Sequence, residues 1–141
     1  MTMLTPDRFL LETVYLGDRL FKGFCLNSDH RELLIKIDAI SRIRSPSRRW
    51  DFYTAEDIDG GGIMFTGVRS VRFEPSGPIP NNWIRVLSVT ELDEPRGTLW
   101  RFEILMGCKR SDGGSQEVKV EIVGNDAHLV DPKRPGEKIR E

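Results

Sequence analysis

The side chains that most often carry chemistry are few in this chain, and their surroundings point away from the common reactions. His30 and His128 are the only histidines, too few for a histidine-rich metal site. His30 stands in a turn beside Asp29 and Glu32, where a solvated role fits best, and His128 falls in a short terminal strand, where a structural role fits best. Cys25 and Cys108 sit in apolar strand patterns and read as reduced, buried small hydrophobes. No serine is framed by the glycines of a nucleophile elbow, and a Ser-His-Asp arrangement has no signature in the order of the chain. The acidic run Glu56-Asp57-Ile58-Asp59-Gly60 has carboxylates and a glycine, as a calcium loop would. It lacks the bidentate glutamate at the twelfth position and reads as a solvated turn. The triple glycine Gly60 to Gly62 is followed by a strand pattern, with no Lys-Ser or Lys-Thr and no helix, so it is not a phosphate loop. No metal and no cofactor is expected.

Binding residues are easier to find. Arg42, Arg44, Arg48 and Arg49 precede Trp50, a set that can grip phosphate or carboxylate bidentately and stack on a flat group. Acidic residues are just as dense nearby, at Asp38, Asp51, Glu56, Asp57 and Asp59, so local pairing competes with an acidic partner and, further behind, with nucleic acid. Trp50 and Trp83 stand beside loops, where tryptophan serves either as a lid on the core or as an anchor for a partner. A second constellation, Asp18, Asp38, Arg42, Tyr53 and Glu56, would form a polar cleft if the fold brought its members together.

The elements that must position these residues are mostly strands. Thr98, Trp100, Phe102, Ile104, Met106 and Cys108 alternate with Arg101 and Glu103; Val118, Val120 and Ile122 alternate with Glu117, Lys119 and Glu121. A period of two means one buried and one wet face. The polar, glycine-containing loop from Lys109 to Ser115 makes the two runs an antiparallel hairpin. Upstream, Arg19 to Leu26 reads as a strand closed by a turn at Asn27 to His30. In the next strand Leu33, Ile35, Ile37, Ala39 and Ile43 share one face, while Lys36, Asp38, Arg42 and Arg44 share the other. Ser45-Pro46-Ser47 ends it, and Trp50 to Thr54 forms a short strand. Ile63, Phe65, Val71 and Phe73 keep one parity if a β-bulge near Gly67 restores the register. Glu74 to Asn82 is a connection, Trp83 to Leu92 a strand with poorer alternation, Asp93 to Gly97 a turn, and Ala127 to Val130 a last short strand. Thr5 and Pro6 open a short helix whose apolar side is Phe9, Leu10, Thr13 and Val14, with Gly17 as its end, although Glu12 to Leu16 also suits an extended segment.

About eight strands joined by polar turns predict an all-β fold with room for one short N-terminal helix, either an antiparallel β-sandwich or a partly open barrel. Residues 1–130 form a single β-domain, and 131–141 a charged, flexible tail. A chain of 141 residues with 38% hydrophobic and 30% charged residues is sized for one core. Its net charge of −1 argues against phosphate binding as its main work. Neither a basic segment followed by an apolar core at the start nor an apolar run of about 18 residues is present, so the cytoplasm is the expected location and no membrane the expected partner.

Tyr15-Leu16-Gly17-Asp18, Ile40-Ser41-Arg42-Ile43-Arg44-Ser45, Trp50-Asp51-Phe52-Tyr53-Thr54-Ala55-Glu56-Asp57-Ile58 and Gly77-Pro78-Ile79-Pro80-Asn81 resemble a family of small uncharacterised bacterial proteins of unknown function. The resemblance covers roughly residues 12–90 and carries no activity or site residue with it. Some small β-proteins of this size act as immunity proteins beside bacterial toxins, an analogy of class alone. The functional expectation is a non-enzymatic cytosolic β-domain that binds another protein, immunity-protein-like or adaptor-like, through Arg44, Arg48, Arg49, Trp50 and Trp83. A homo-oligomer stays open. The alternative is a small-ligand binder or enzyme using the polar cleft around Asp18, Asp38, Arg42, Tyr53 and Glu56.

Overall fold

A computed structural model describes residues 4–42, 58–92 and 98–140. The chain runs through a short helix, α1 (Pro6–Glu12), and then β1 (Val14–Tyr15), β2 (Phe21–Asn27), β3 (Glu32–Ile37), β4 (Ala39–Arg42), β5 (Ile58–Asp59), β6 (Gly62–Thr66), β7 (Ser70–Glu74), β8 (Ile84–Leu92), β9 (Leu99–Lys109), β10 (Ser115–Gly124) and β11 (Asp126–Val130). All pairings are antiparallel and form three sheets, ordered β7-β10-β9-β8, β11-β6-β3-β2 and β1-β4-β5. The fold is all-β and sandwich-like, as the alternation predicts, and among the described residues the sheets do not close into a barrel.

The β9–β10 hairpin is the backbone of the larger sheet. Its register pairs Phe102 with Ile122, Ile104 with Val120 and Met106 with Val118, and all six side chains are fully buried. Full burial of a side chain this size is worth about 1.5–3 kcal/mol, so this face is a main source of stability. From the facing sheet come Leu33, Ile35, Ile37, Ile63, Phe65, Ala127 and Leu129. Phe65 meets Phe102 edge to face across the gap, ring centroids 5.0 Å apart. Leu20, just before β2, bridges to Trp83 at the start of β8, while Phe24 of β2 touches Phe73 of β7 at the opposite edge. β2 therefore crosses the width of the other sheet, as in sandwiches whose sheets pack at a large angle.

Several expectations change in the structure. The long strand from Leu33 to Arg44 breaks at Asp38, whose Oδ1 accepts the N–H groups of Leu20 and Ala39, both at 2.8 Å. β4 then leaves the sheet of β3 to pair with β1 and β5, so Asp38 and Arg42 do not share a strand face, and Arg42 is buried. Gly67 is not a bulge. With φ of +60° it turns the chain out of β6 into β7 of the other sheet, where Phe73 is partly exposed. Bulges occur instead in β2, between Phe21 and Gly23, and in β8, between Val86 and Ser88. The second of these explains the poor alternation of β8.

On the outer face of the hairpin Glu117 is exposed, as are Lys109 and Ser115 beside the turn. Arg101, Glu103, Lys119 and Glu121 are half-buried because they pair across strands, Arg101 with Glu121 and Lys119 with Glu103 and Glu74. α1 ends at Glu12, before the expected Gly17: the Thr13 hydroxyl donates to the Phe9 carbonyl, and β1 begins at once. Thr5 occupies the N-cap position without a side-chain cap bond. Near the other end, Ile139 is buried and exchanges two backbone hydrogen bonds with Leu129. Arg140 pairs with Asp126 at 2.9 Å and lies over the Phe9 ring. The expected tail thus includes residues that return to the edge of β11.

Candidate functional site

α1 and β1 run along the start of β8, the last strand of its sheet, and leave an open cleft of about 600 Å³ between them. Leu10, Val14, Leu16, Ile84 and Val86 give it an apolar lining, Tyr15 and Trp83 add aromatic walls, and Asp18, Arg85 and Glu117 bring charge. Apolar and polar surface are thus nearly balanced in the lining. The amphipathic pattern of α1 makes one side of it. Phe9 and Leu10 go into the core, which leaves Leu11 on the rim at 48% exposure.

Two glycines shape the walls. The Trp83 indole lies against Gly107 of β9, where any side chain would collide with it. Gly107 pairs in register with Glu117 of β10, so the indole and the Glu117 carboxylate share the outer face of that sheet. The Tyr15 ring lies over Gly17 in the same way, next to Asp18, whose backbone adopts a positive φ of 58°. Trp83 is fixed further by its backbone: its carbonyl accepts from Gly107 N–H at 2.8 Å, and the Gly107 carbonyl accepts the N–H groups of Asn81 and Asn82. The Asn81 side chain spans both the N–H and the C=O of Lys109, which pins the connection Glu74 to Asn82 to the end of β9.

The residues singled out by sequence separate into distinct groups. Trp83 and Asp18 meet at the cleft, one from each of the two constellations. Asp38 caps a turn and Arg42 is buried in β4, so neither lines it. Arg44, Arg48, Arg49, Trp50, Tyr53 and Glu56 lie outside the described residues. His30 is exposed in its turn. His128 is buried on β11, and burial, aided by the charges of Lys138 and Arg140, holds its pKa below the ordinary value against the opposing pull of Asp126 and Glu32. Cys108 is buried as expected; Cys25 is exposed, because it falls on the outward parity of β2, opposite Leu34. Asp59 is exposed and pairs with Lys133 at 3.8 Å. Among the described residues no group of His, Cys, Asp and Glu is arranged to hold a metal. Among the described residues no helix is long and apolar enough to cross a membrane.

Sequence reasoning missed Leu10, Leu11, Val14, Leu16, Arg85, Val86 and Glu117 as cleft residues. They are ordinary apolar and surface positions along the chain, and only the approach of α1 to β8 gathers them. The one available signal was the broken alternation of β8.

No curated protein and no solved structure matches the chain. A family model described only as a family of unknown function, DUF6258, matches residues 4–141, nearly the whole chain. The chain belongs to that family.

Proposed function

We propose that this protein is a non-enzymatic, cytoplasmic binding domain, immunity-protein-like or adaptor-like, that holds a segment of another protein in the cleft between α1, β1 and β8. The carrying observation is where apolar surface is left uncovered. Six large hydrophobic side chains are exposed among the described residues, and one of them, Leu11, lines this cleft together with the half-buried Tyr15, Trp83 and Val86. Apolar side chains gathered around a concavity mark interaction sites, whereas scattered ones do not. Tryptophan and tyrosine are favoured anchors at such surfaces, and Arg85 on the rim adds a third anchor type. The opening suits a chain segment better than buried catalysis, since nothing described encloses the cleft to exclude water.

The test is selection from a display library of short linear peptides on the intact protein and on Trp83→Ala. Peptides that bind the first and lose at least tenfold on the second, with the same circular dichroism for both, support the reading. Binding that ignores Trp83, or no binding at all, removes it. A volume of about 600 Å³ also falls in the range of small-molecule pockets. Trp83-dependent binding of small compounds with no peptide binding would favour that second reading.

A further inference from the structure

On the strength of that reading, we infer that the cleft selects a partner segment bearing one basic residue, Lys or Arg, beside apolar ones. The argument begins with charges left without partners. Along β10, Lys119 pairs with Glu103 and Glu74, and Glu121 with Arg101. Glu117, the next residue of the same parity, has no ion pair or hydrogen bond to its side chain among the described residues, and neither do Asp18 and Arg85. Asp7, Asp29, Glu32 and Glu91 also lack such partners among the described residues, but Asp18 and Glu117 are the two carboxylates that line the cleft.

Both share the lining with an aromatic ring: Glu117 is paired in register with Gly107, on which the Trp83 indole rests, and Asp18 follows Gly17, over which the Tyr15 ring lies. A carboxylate next to an aromatic face recognises a cation twice over, by charge-assisted hydrogen bonding and by the ring's quadrupole. The methylene stem of lysine or arginine also suits the apolar lining of Leu10, Val14 and Val86. Arg85 is the sole basic residue of the lining and repels a second cation. The favoured segment therefore carries one basic residue among apolar neighbours and is not a polybasic run.

The same peptide library tests this on the full chain. Enriched sequences are expected to share one Lys or Arg flanked by aliphatic or aromatic residues. Their affinity should fall about tenfold with Asp18→Asn or Glu117→Gln, and it should weaken as salt rises. Glu117→Lys should shift selection toward acidic peptides, and Arg85→Gln should admit polybasic ones. Peptides that bind in a Trp83-dependent way without a basic residue, or that ignore both carboxylate substitutions, overturn the inference and leave the cleft as the docking site. An absence of any Trp83-dependent peptide overturns both.

Discussion

The β9–β10 hairpin and the cleft on β8 belong to one sheet, yet they are built on opposite plans. Along the hairpin every inward position from Trp100 to Cys108 and from Val118 to Ile122 is buried, and the outward charges of Arg101, Glu103, Lys119 and Glu121 are matched across strands. Pattern, register and electrostatics agree there, as they do in segments that specify a fold. One strand away, β8 carries a bulge, exposes Leu87 and stands beside the exposed Leu11. The two cleft carboxylates lack partners among the described residues. The contrast runs between the packed middle of the hairpin and the cleft, which takes Glu117 from the turn end of β10 and Asp18 from the segment after β1.

The largest expected difference between the two regions is in stability. Phe102→Ala empties the centre of the core beneath Phe65 and should cost about 3–5 kcal/mol by chemical denaturation. Trp83→Ala removes a larger side chain, but a half-buried one resting on Gly107, and should cost only about 1–2 kcal/mol. Equal losses would mean that Trp83 is a core residue and that the cleft is not a separate surface. Ile139→Ala, at the far edge of the smaller sandwich sheet, belongs with the hairpin class. Ile139 is buried and hydrogen-bonded through its backbone to Leu129, so about 2 kcal/mol should be lost.

Acid provides another way to separate the regions, because His128 belongs to the packed part of the molecule. The fold favours its neutral form and holds its pKa below the ordinary value of about 6.5. The unfolded chain therefore takes up the proton first. The contribution is fully present above pH 6.5 and is lost as pH falls from there toward the lower folded value. Thermal melts of the wild type and His128→Gln between pH 7.5 and 5.5 should show a shallower acid decline in the variant. Parallel declines would locate the acid sensitivity elsewhere.

How much could be read beforehand followed the same division. Strict alternation of Trp100, Phe102, Ile104 and of Val118, Val120, Ile122 located the hairpin and its buried face, since one buried side leaves a sheet no other register. Asp38 misled because nothing in Ile35-Lys36-Ile37-Asp38-Ala39 marks a break; the interruption comes from the Leu20 amide reaching its carboxylate from another part of the chain. Gly67 suggested a bulge because it and Arg69 interrupt the parity that Ile63, Phe65, Val71 and Phe73 share, yet the interruption is the passage from β6 to β7 of the other sheet. At the cleft, Trp83 was visible as an aromatic beside a loop. Glu117 was not, because its alternation with Val118 fits a solvated face, and its position next to the indole depends on the register of β9 against β10.

The smallest effect is the most pointed test of the comparison, since it sets two residues of one strand against each other. Lys119 and Glu117 lie two positions apart on the same outer face of β10. Lys119 sits 3.4 Å from Glu103 and 3.9 Å from Glu74, with about a third of its side chain exposed. Pairs this open to water are weak, so Lys119→Ala should cost about 0.5–1 kcal/mol, since Glu103 on β9 and Glu74 on β7 lose the cation they share. Glu117→Gln breaks no described ion pair and keeps its shape, so stability should stay within about 0.5 kcal/mol of the wild type. Binding should show the reverse order. Lys119 is outside the cleft lining, and its loss should leave peptide affinity unchanged, while Glu117→Gln weakens it. If Glu117→Gln destabilises the protein as much as Lys119→Ala and leaves affinity untouched, Glu117 is one more rung of the hairpin's charge ladder, and the division between the two regions ends at β9.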